Sequence, residues 1–325
     1  MVAGDGAERG SGGLGHAGLE TLGGVGGFFA LRLAPAPPVP PETAPGPARR
    51  VAGTSAAQPT QPTEAPDGTE RAGSVAERPT ATAGRLPRPG PAAPARPAPS
   101  EGPGAVQPAA VSVAGTYVPL ARVYAGDHAP LEARVSRVAE RLRAPEYRVA
   151  ASVAQLGLAA RLWSVTLGSA ALYGVVPDLR PDLLHWDPAR TTPDDLWWSG
   201  DRTRPATPEH LRDIVQHGHL APLADALRAG GAVSPRLLWG NAGSALGGAV
   251  RELTRWAHRH GRPEAARRAV ALAAALLDDP DLAGTLQGPA LRRRSCCLYY
   301  RCPGGGLCGD CVFDRPPGSS AASRR

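Results

Sequence analysis

The chain has 325 residues, and its 40 glycines and 36 prolines make up almost a quarter of them, so the part that can form a core is smaller than the length suggests. All 36 basic residues are arginine, which reflects coding bias, and the formal net charge of +7 does not by itself select a partner. We predict no nucleic-acid partner. We also predict no transmembrane segment, because no stretch reaches the roughly 18 to 20 apolar residues that span a bilayer. The N-terminus lacks the positive charge of a secretory signal, so we expect a cytoplasmic protein, free or loosely associated with the inner face of the membrane.

Composition divides the first third of the chain. Residues 1–16 are rich in glycine and are predicted to be a disordered tail, as are residues 314–325. Residues 17–33 repeat apolar side chains with roughly helical spacing, which predicts a short helix that docks on the main domain; a frayed tail is the alternative. Residues 34–110 hold 19 of the prolines and no aromatic residue, so we predict a disordered Pro/Ala-rich linker there.

Residues 111–290 are predicted to form a helical domain. Apolar residues recur at three- and four-residue spacing over 131–142, which is typical of an amphipathic helix. Residues 147–173 are apolar almost all round, which predicts the central helix of a bundle, kinked or divided at Gly157 or Gly168. Further helices are predicted at 208–216, at 219–228, at 234–260 with a break at Gly240, and at 263–277. No strong strand alternation occurs, so the fold class is mainly α, with a long disordered Pro/Ala-rich region before the helical domain and a cysteine-rich segment after it.

Two stretches of this domain have competing interpretations. The proline-bearing stretch 177–208 carries Trp186, Trp197 and Trp198, which we predict to cover the bundle as a lid; a ligand wall is the alternative. The run Trp239–Ala249 is rich in glycine and other small residues. Close packing of another helix is the favoured interpretation, and a tight wall near a functional site, with Asn241 as polar anchor, is the alternative.

All five cysteines lie within residues 296–311, so the thiols belong to one local site and do not cross-link distant parts of the chain. Cys308 and Cys311 are separated by two residues and can chelate one metal. The vicinal pair Cys296 and Cys297 is unusual for zinc, whose tetrahedral sites normally take two spaced pairs. A cluster with two irons is larger and accepts sulfurs from a wider arc, so the pattern Cys-Cys-x10-Cys-x2-Cys favours a [2Fe–2S] centre within residues 291–313.

The surroundings of the cysteines suit an anionic centre. Glycines at 304–306 and Gly309 can turn backbone N–H groups toward sulfur. From Gln287 to Arg325 there are seven arginines and two aspartates. Positive charge and N–H donors raise the reduction potential of a cluster, and positive charge can dock an acidic electron donor such as a ferredoxin or a reductase. A solvated helix end is the alternative interpretation of the arginines at 292–294.

The stretch Arg293–Arg301, followed by Pro303–Cys311, resembles the C-terminal motif of FhuF-like ferric siderophore reductases. Arg148–Trp163, Trp239–Asn241 and Gly26–Phe29 are also similar to that family, so the resemblance covers most of 111–313. It implies a [2Fe–2S] oxidoreductase that reduces Fe(III) in hydroxamate-type siderophores and releases Fe(II) in the cytoplasm.

Carried over by position, the resemblance implies a specific set of site residues. The implied cluster ligands are Cys296, Cys297, Cys308 and Cys311. Cys302 lies outside this pattern, as a spare thiol or a substitute ligand. The candidates for contact with the substrate or the electron donor are Tyr299, Tyr300, Arg301, Arg294, Trp239 and Asn241. No catalytic acid, base or nucleophile is implied, because electron transfer needs none.

Two other functions remain open at this point. One is a [2Fe–2S] electron carrier or redox sensor without a siderophore substrate. The other is a structural zinc module in an interaction protein.

Overall fold

The computed structural model describes residues 14–33 and 117–317, all of which belong to one compact unit. The predicted linker and most of the two predicted tails lie outside the described residues. The described part is mainly helical, which confirms the predicted fold class. None of its helices is long and apolar enough to cross a membrane.

The elements are helices of 4 to 27 residues and strands of two or three residues. In chain order, the helices are α1 (His16–Gly23), α2 (Leu120–Tyr124), α3 (Ala129–Leu142), α4 (Tyr147–Tyr173), α5 (Pro208–Leu211), α6 (Ala221–Ala229), α7 (Pro235–Arg259) and α8 (Pro263–Leu277). The strands are β1 (Arg32–Leu33), β2 (Val118–Pro119), β3 (Val175–Pro177), β4 (Leu184–Trp186), β5 (Leu196–Trp198), β6 (Thr203–Pro205), β7 (Leu286–Gln287) and β8 (Arg292–Arg293). Single 3₁₀ turns occur at Gly27–Phe29 and Tyr299–Arg301.

Helix α4 is the centre of the core and packs against α3, α7 and α8. Its residues are buried on nearly every face, as the all-round apolar pattern predicts. The helix is continuous, so the predicted division at Gly157 or Gly168 is wrong. A Cβ atom on Gly168 would lie 2.6 Å from Leu22 Cδ1 and 2.7 Å from Phe29 Cδ1. This glycine therefore allows the N-terminal segment to approach the α4 backbone closely.

The same N-terminal segment is also fastened by a buried arginine. Arg161 of α4 is fully buried and donates to the carbonyl oxygens of Gly27, at 2.9 Å, and Phe28, at 2.5 Å. Its Nε donates to Asp195 Oδ1 at 3.0 Å, so the buried positive charge has a buried carboxylate as its partner. α1 and the turn that follows it are thus held on α4 by both apolar contacts and hydrogen bonds.

A four-stranded sheet with the order β1-β5-β4-β2 covers one side of the helices. β1 pairs parallel with β5, and the other neighbours are antiparallel. Trp186 and Trp198 point into the core with 3% and 1% exposure, and Trp197 is partly exposed beside Tyr117 and Arg32. The prediction that these tryptophans cover the bundle agrees with the burial of Trp186 and Trp198, and the covering element is a sheet whose strands supply core side chains. Strands of two or three residues are too short to show an alternating pattern in the sequence.

The predicted helices at 208–216 and 219–228 are parts of one continuous helical stretch. Residues Arg212–Leu220 form a π-helix between α5 and α6. π-Helical turns place side chains at an unusual angular spacing, and here they bury His219 completely. α7 likewise runs without the predicted break at Gly240.

Candidate metal centre

The cysteine-bearing segment lies across the small-residue face of α7. A Cβ atom on Gly240 would lie 1.8 Å from Ser295 Oγ, and one on Gly243 would lie 2.2 Å from Thr285 Oγ1. The element that needs this clearance is therefore the hairpin β7–β8 with its flanking residues, and not another helix. Both interpretations of the run Trp239–Ala249 agree with the geometry: α7 packs closely on α4 and α8, and its glycines form a tight wall beside the cysteine segment.

Four of the five thiols interact with one another. Cys297 Sγ donates to Cys308 Sγ at 3.8 Å, and Cys296 directly precedes Cys297 in the chain. Electrostatic coupling also joins Cys311 to Cys308 and to Cys296. Cys302 is buried but is coupled to none of the other described thiols. The folded chain thus separates the cysteines into a group of four and one outlier.

Each sulfur of the group of four faces an N–H donor. The donors are the Leu298 backbone N–H for Cys296 (3.2 Å), the Phe313 backbone N–H for Cys311 (3.5 Å) and the Arg293 guanidinium for Cys308 (3.9 Å). The Tyr299 backbone N–H acts on Cys297 by lowering its pKa. Three of these donors are backbone groups two residues after the cysteine. Such bonds stabilise thiolates and are typical of the environment of cluster sulfurs.

The pKa values reflect this mutual coupling. The pKa of Cys296 is lowered to about 7, first by its interaction with the neighbouring Cys297 thiol. The pKa of Cys308 is raised, first by its hydrogen bond with Cys297 and then by burial. The pKa of Cys302 is raised by burial alone. Neighbouring thiols thus contribute to the pKa values of Cys296 and Cys308, and not to that of Cys302.

Cys302 serves the turn between the two halves of the motif. Its carbonyl oxygen accepts a hydrogen bond from the Gly305 N–H at 2.8 Å. A Cβ atom on Gly305 would lie 2.4 Å from Tyr299 O, so only glycine fits there. Gly304 has a φ of +73°, in the left-handed region that glycine adopts without strain. Gly304 and Gly305, which we predicted to turn N–H groups toward sulfur, therefore allow the chain to reverse between Cys297 and Cys308.

A buried polar network joins this segment to two core helices. Ser152 of α4 donates to the Cys297 carbonyl oxygen at 2.8 Å, and Asn241 of α7 donates to both Ser152 O and Ser152 Oγ at 3.0 Å. Arg293 donates to Asn241 Oδ1. A second contact comes from Ser244, which donates to Asp310 Oδ2 at 2.6 Å.

The predicted contact residues occupy three different environments. Trp239 and Arg294 line one cavity of about 230 Å³, together with Arg236, Asp281, Ser295 and the backbone near Gly284. Tyr299 and Tyr300 are half-buried, with Tyr300 edge-on to Phe313, and Arg301 pairs with Glu146 of the N-cap of α4. Asn241 is completely buried, where it holds Ser152 and Arg293, and its contact with a substrate or donor stays a prediction.

Sequence reasoning missed Ser152, Ser244 and Asp310 as parts of the centre, and it did not single out Arg293 among its neighbours. Arg293 is one of three consecutive arginines, and only the fold shows that it is the buried one. Asp310 lies inside the Cys-Gly-Asp-Cys turn, which is the one signal that could have identified it.

The donor set fits an iron–sulfur cluster. Four soft sulfur donors with N–H groups aimed at them are the complement that a [2Fe–2S] cluster takes from a protein. Within residues 14–33 and 117–317, no three His, Cys, Asp or Glu side chains are gathered closely enough to hold a metal ion as they stand.

Comparison with known proteins gives two matches and one negative result. Residues 160–299 match the family model "Ferric iron reductase FhuF-like transporter". Residues 293–313 match the model "FhuF 2Fe-2S C-terminal domain". No curated protein matches the chain.

Proposed function

We propose that this chain, which belongs to the FhuF-like ferric iron reductase family and carries its [2Fe–2S] domain, reduces Fe(III) in hydroxamate-type siderophores and releases Fe(II) in the cytoplasm. The proposed cluster ligands are Cys296, Cys297, Cys308 and Cys311. The observation that carries the proposal is the separation of the thiols: Cys297 contacts Cys308, and Cys296, Cys308 and Cys311 accept from N–H donors. Cys302 makes no such contact with the other thiols among the described residues.

The chemistry needs an electron and little else from the protein. When bound, a [2Fe–2S] cluster exchanges one electron at a time, which is what conversion of Fe(III) to Fe(II) requires. Hydroxamate oxygens are hard donors that bind Fe(III) tightly and Fe(II) weakly, so reduction frees the metal without hydrolysis of the chelator. The chain therefore has to hold the thiolates, exclude water from part of the centre and let a ferric chelate approach.

The cavity beside Ser295 is the proposed place of approach. It adjoins the partly exposed Cys296 in the chain, and no carboxylate pairs with Arg236 or Arg294 among the described residues. The indole of Trp239 offers a flat apolar surface, and the arginines offer N–H donors to chelate oxygens. Its volume of about 230 Å³ takes part of a chelate and not a whole siderophore.

The electron donor is proposed to be an acidic protein such as a ferredoxin or a reductase. Arg294 and Arg315 are exposed on the cysteine segment, and Arg301 is exposed nearby. A positive surface of this kind attracts an acidic partner and speeds its encounter. Electron transfer into the centre should therefore slow as ionic strength rises.

Metal analysis and single-turnover kinetics test the proposal together. Protein purified without oxygen should contain iron and acid-labile sulfide in equal amounts, and colourless protein with zinc would favour the structural module. After reduction by dithionite and its removal, the cluster spectrum should return to the oxidised form on mixing with ferrioxamine B or ferrichrome. A cluster that a ferredoxin oxidises but no ferric hydroxamate oxidises would favour an electron carrier and refute the proposed function.

A further inference from the structure

The side chain of Arg293 is a buried cation without a carboxylate partner. It is fully buried, and it forms no ion pair with Asp or Glu within the described part of the chain. Its Nη2 donates to Asn241, its Nη1 lies 3.9 Å from Cys308 Sγ, and its Nε is buried without a hydrogen-bond partner. A buried charge is costly unless an opposite charge compensates it, so this arrangement points to an anionic partner at the thiols.

Arg293 also differs from the other donors to sulfur. The remaining three thiols of the group face backbone N–H groups, which carry only partial charge. Among the four, Cys308 is the thiol to which a cationic side chain donates, and the same Arg293 charge also lowers the pKa of Cys296 and Cys297. Four thiolates and two sulfides outweigh the charge of two ferric ions, so the bound centre is anionic and becomes more so when it gains an electron. A fixed buried cation therefore stabilises the reduced form more than the oxidised form.

The position of this cation is set by a chain of hydrogen bonds and not by exposed residues. Asn241 accepts from Arg293 and donates to Ser152, and Ser152 donates to the carbonyl oxygen of Cys297. The chain begins at the cation beside Cys308 and ends at the backbone of Cys297. The same residues thus hold both halves of the cysteine motif against α4 and α7.

We infer that the positive charge of Arg293 raises the reduction potential of the centre at Cys308. Asn241 and Ser152 are the positioning residues that orient its guanidinium. The inference rests on the proposed ligand set. It assigns Arg293 an effect on the driving force of electron transfer, without contact between Arg293 and the ferric chelate. The charge of Arg293 stabilises the reduced state, and Asn241 holds the guanidinium toward Cys308 Sγ.

The test is a redox titration of the whole protein, followed by absorbance and electron paramagnetic resonance, without any siderophore present. Arg293→Gln should lower the ratio of reduced to oxidised centre at a fixed potential at least tenfold, which is 59 mV for one electron. Arg293→Lys keeps the charge and should recover most of this loss. Asn241→Ala should shift the ratio in the same direction by a smaller factor.

Arg294→Gln is the matched control, because it removes the same charge one residue away at an exposed position. Water screens exposed charge, so this variant should stay within twofold of the wild type. An Arg293→Gln variant within twofold of the wild type, or an equal shift in Arg294→Gln, overturns the inference. If Arg293→Gln does not take up a cluster, an unchanged reduction potential in Asn241→Ala overturns the inference that Asn241 orients Arg293.

Failure of the inference and failure of the proposed function give different results. Wild-type protein that titrates normally but does not react with ferric hydroxamates refutes the proposed function and leaves the Arg293 shifts to be judged on their own. Wild-type protein without an iron–sulfur spectrum overturns both.

Discussion

Replacing Gly240 with alanine should loosen the cysteine segment from α7. The added Cβ would lie 1.8 Å from Ser295 Oγ and 3.1 Å from Ser295 Cβ, whereas carbon atoms in good contact are about 3.5 to 4 Å apart. Ser295 immediately precedes Cys296, so a shift of Ser295 moves the vicinal thiols. The substitution therefore tests whether this contact positions the metal centre.

Two opposing effects set the magnitude. Alanine in place of glycine stabilises a helix interior by about 1 kcal/mol. Overpacking costs about 1 to 3 kcal/mol, and rotation of Ser295 Oγ does not relieve the contact at its Cβ. We expect Gly240→Ala to lower the free energy of unfolding by about 1 kcal/mol. Gly248→Ala, in the same helix, meets only Arg251 Nη2 at 3.9 Å and should raise it by about 1 kcal/mol.

Urea unfolding of the two variants, with iron and sulfide analysis of each, measures the difference. Gly240→Ala should be about 2 kcal/mol less stable than Gly248→Ala and should hold less iron. Ser295 Oγ is buried without a hydrogen-bond partner, so adding Ser295→Ala to Gly240→Ala should recover part of both losses. Equal stability and equal iron content in the two glycine variants would refute the reasoning.

Three further predictions concern the cysteines, a buried histidine and a buried ion pair. Cys308→Ser should abolish or strongly alter the cluster absorbance, and Cys302→Ser should leave it largely intact; the reverse outcome would overturn the ligand assignment. Burial lowers the pKa of His219 to about 4 from its ordinary 6.5, so as the pH falls through 6.5 the unfolded chain takes up a proton that the folded chain does not. Stability should therefore fall between pH 6.5 and 4 by up to about 3 kcal/mol, and urea unfolding at several pH values should show a shallower fall in His219→Gln; parallel curves would contradict this origin. Arg161→Met leaves the Asp195 carboxylate buried and unpaired, so it should lower the free energy of unfolding by about 3 to 5 kcal/mol. Arg255→Met, which removes an exposed ion pair, should lower it by about 0.5 kcal/mol or less. Similar losses in urea unfolding of the two variants would contradict the role of the buried pair.

The long helices could be predicted from the sequence because their apolar spacing is local information. The periodic residues of 131–142 and the all-round apolar run of 147–173 match α3 and α4 almost residue for residue. The sheet could not be predicted, because strands of two or three residues show no period and pair only after distant segments meet. The π-helix at Arg212–Leu220 has no comparable sequence signal.

The cysteine site divides in the same way. Spacing along the chain identifies the Cys-Cys-x10-Cys-x2-Cys pattern, and the [2Fe–2S] domain match agrees with the cofactor inferred from it. Burial of Arg293 and Asn241 depends on how β8 lies across α7, which no local pattern encodes. The same is true of Gly240, whose neighbour in space is 55 residues away in the chain.

The most direct test of the central claim is the yield of Fe(II) in one anaerobic turnover. Protein reduced by one electron per cluster is mixed with excess ferrioxamine B and a chromogenic chelator specific for Fe(II), and cluster oxidation and Fe(II) capture are followed together. The account predicts equal rates and about one Fe(II) for each cluster oxidised, because one electron reduces one ferric ion. A cluster that stays reduced, or is oxidised without Fe(II) appearing, would contradict it.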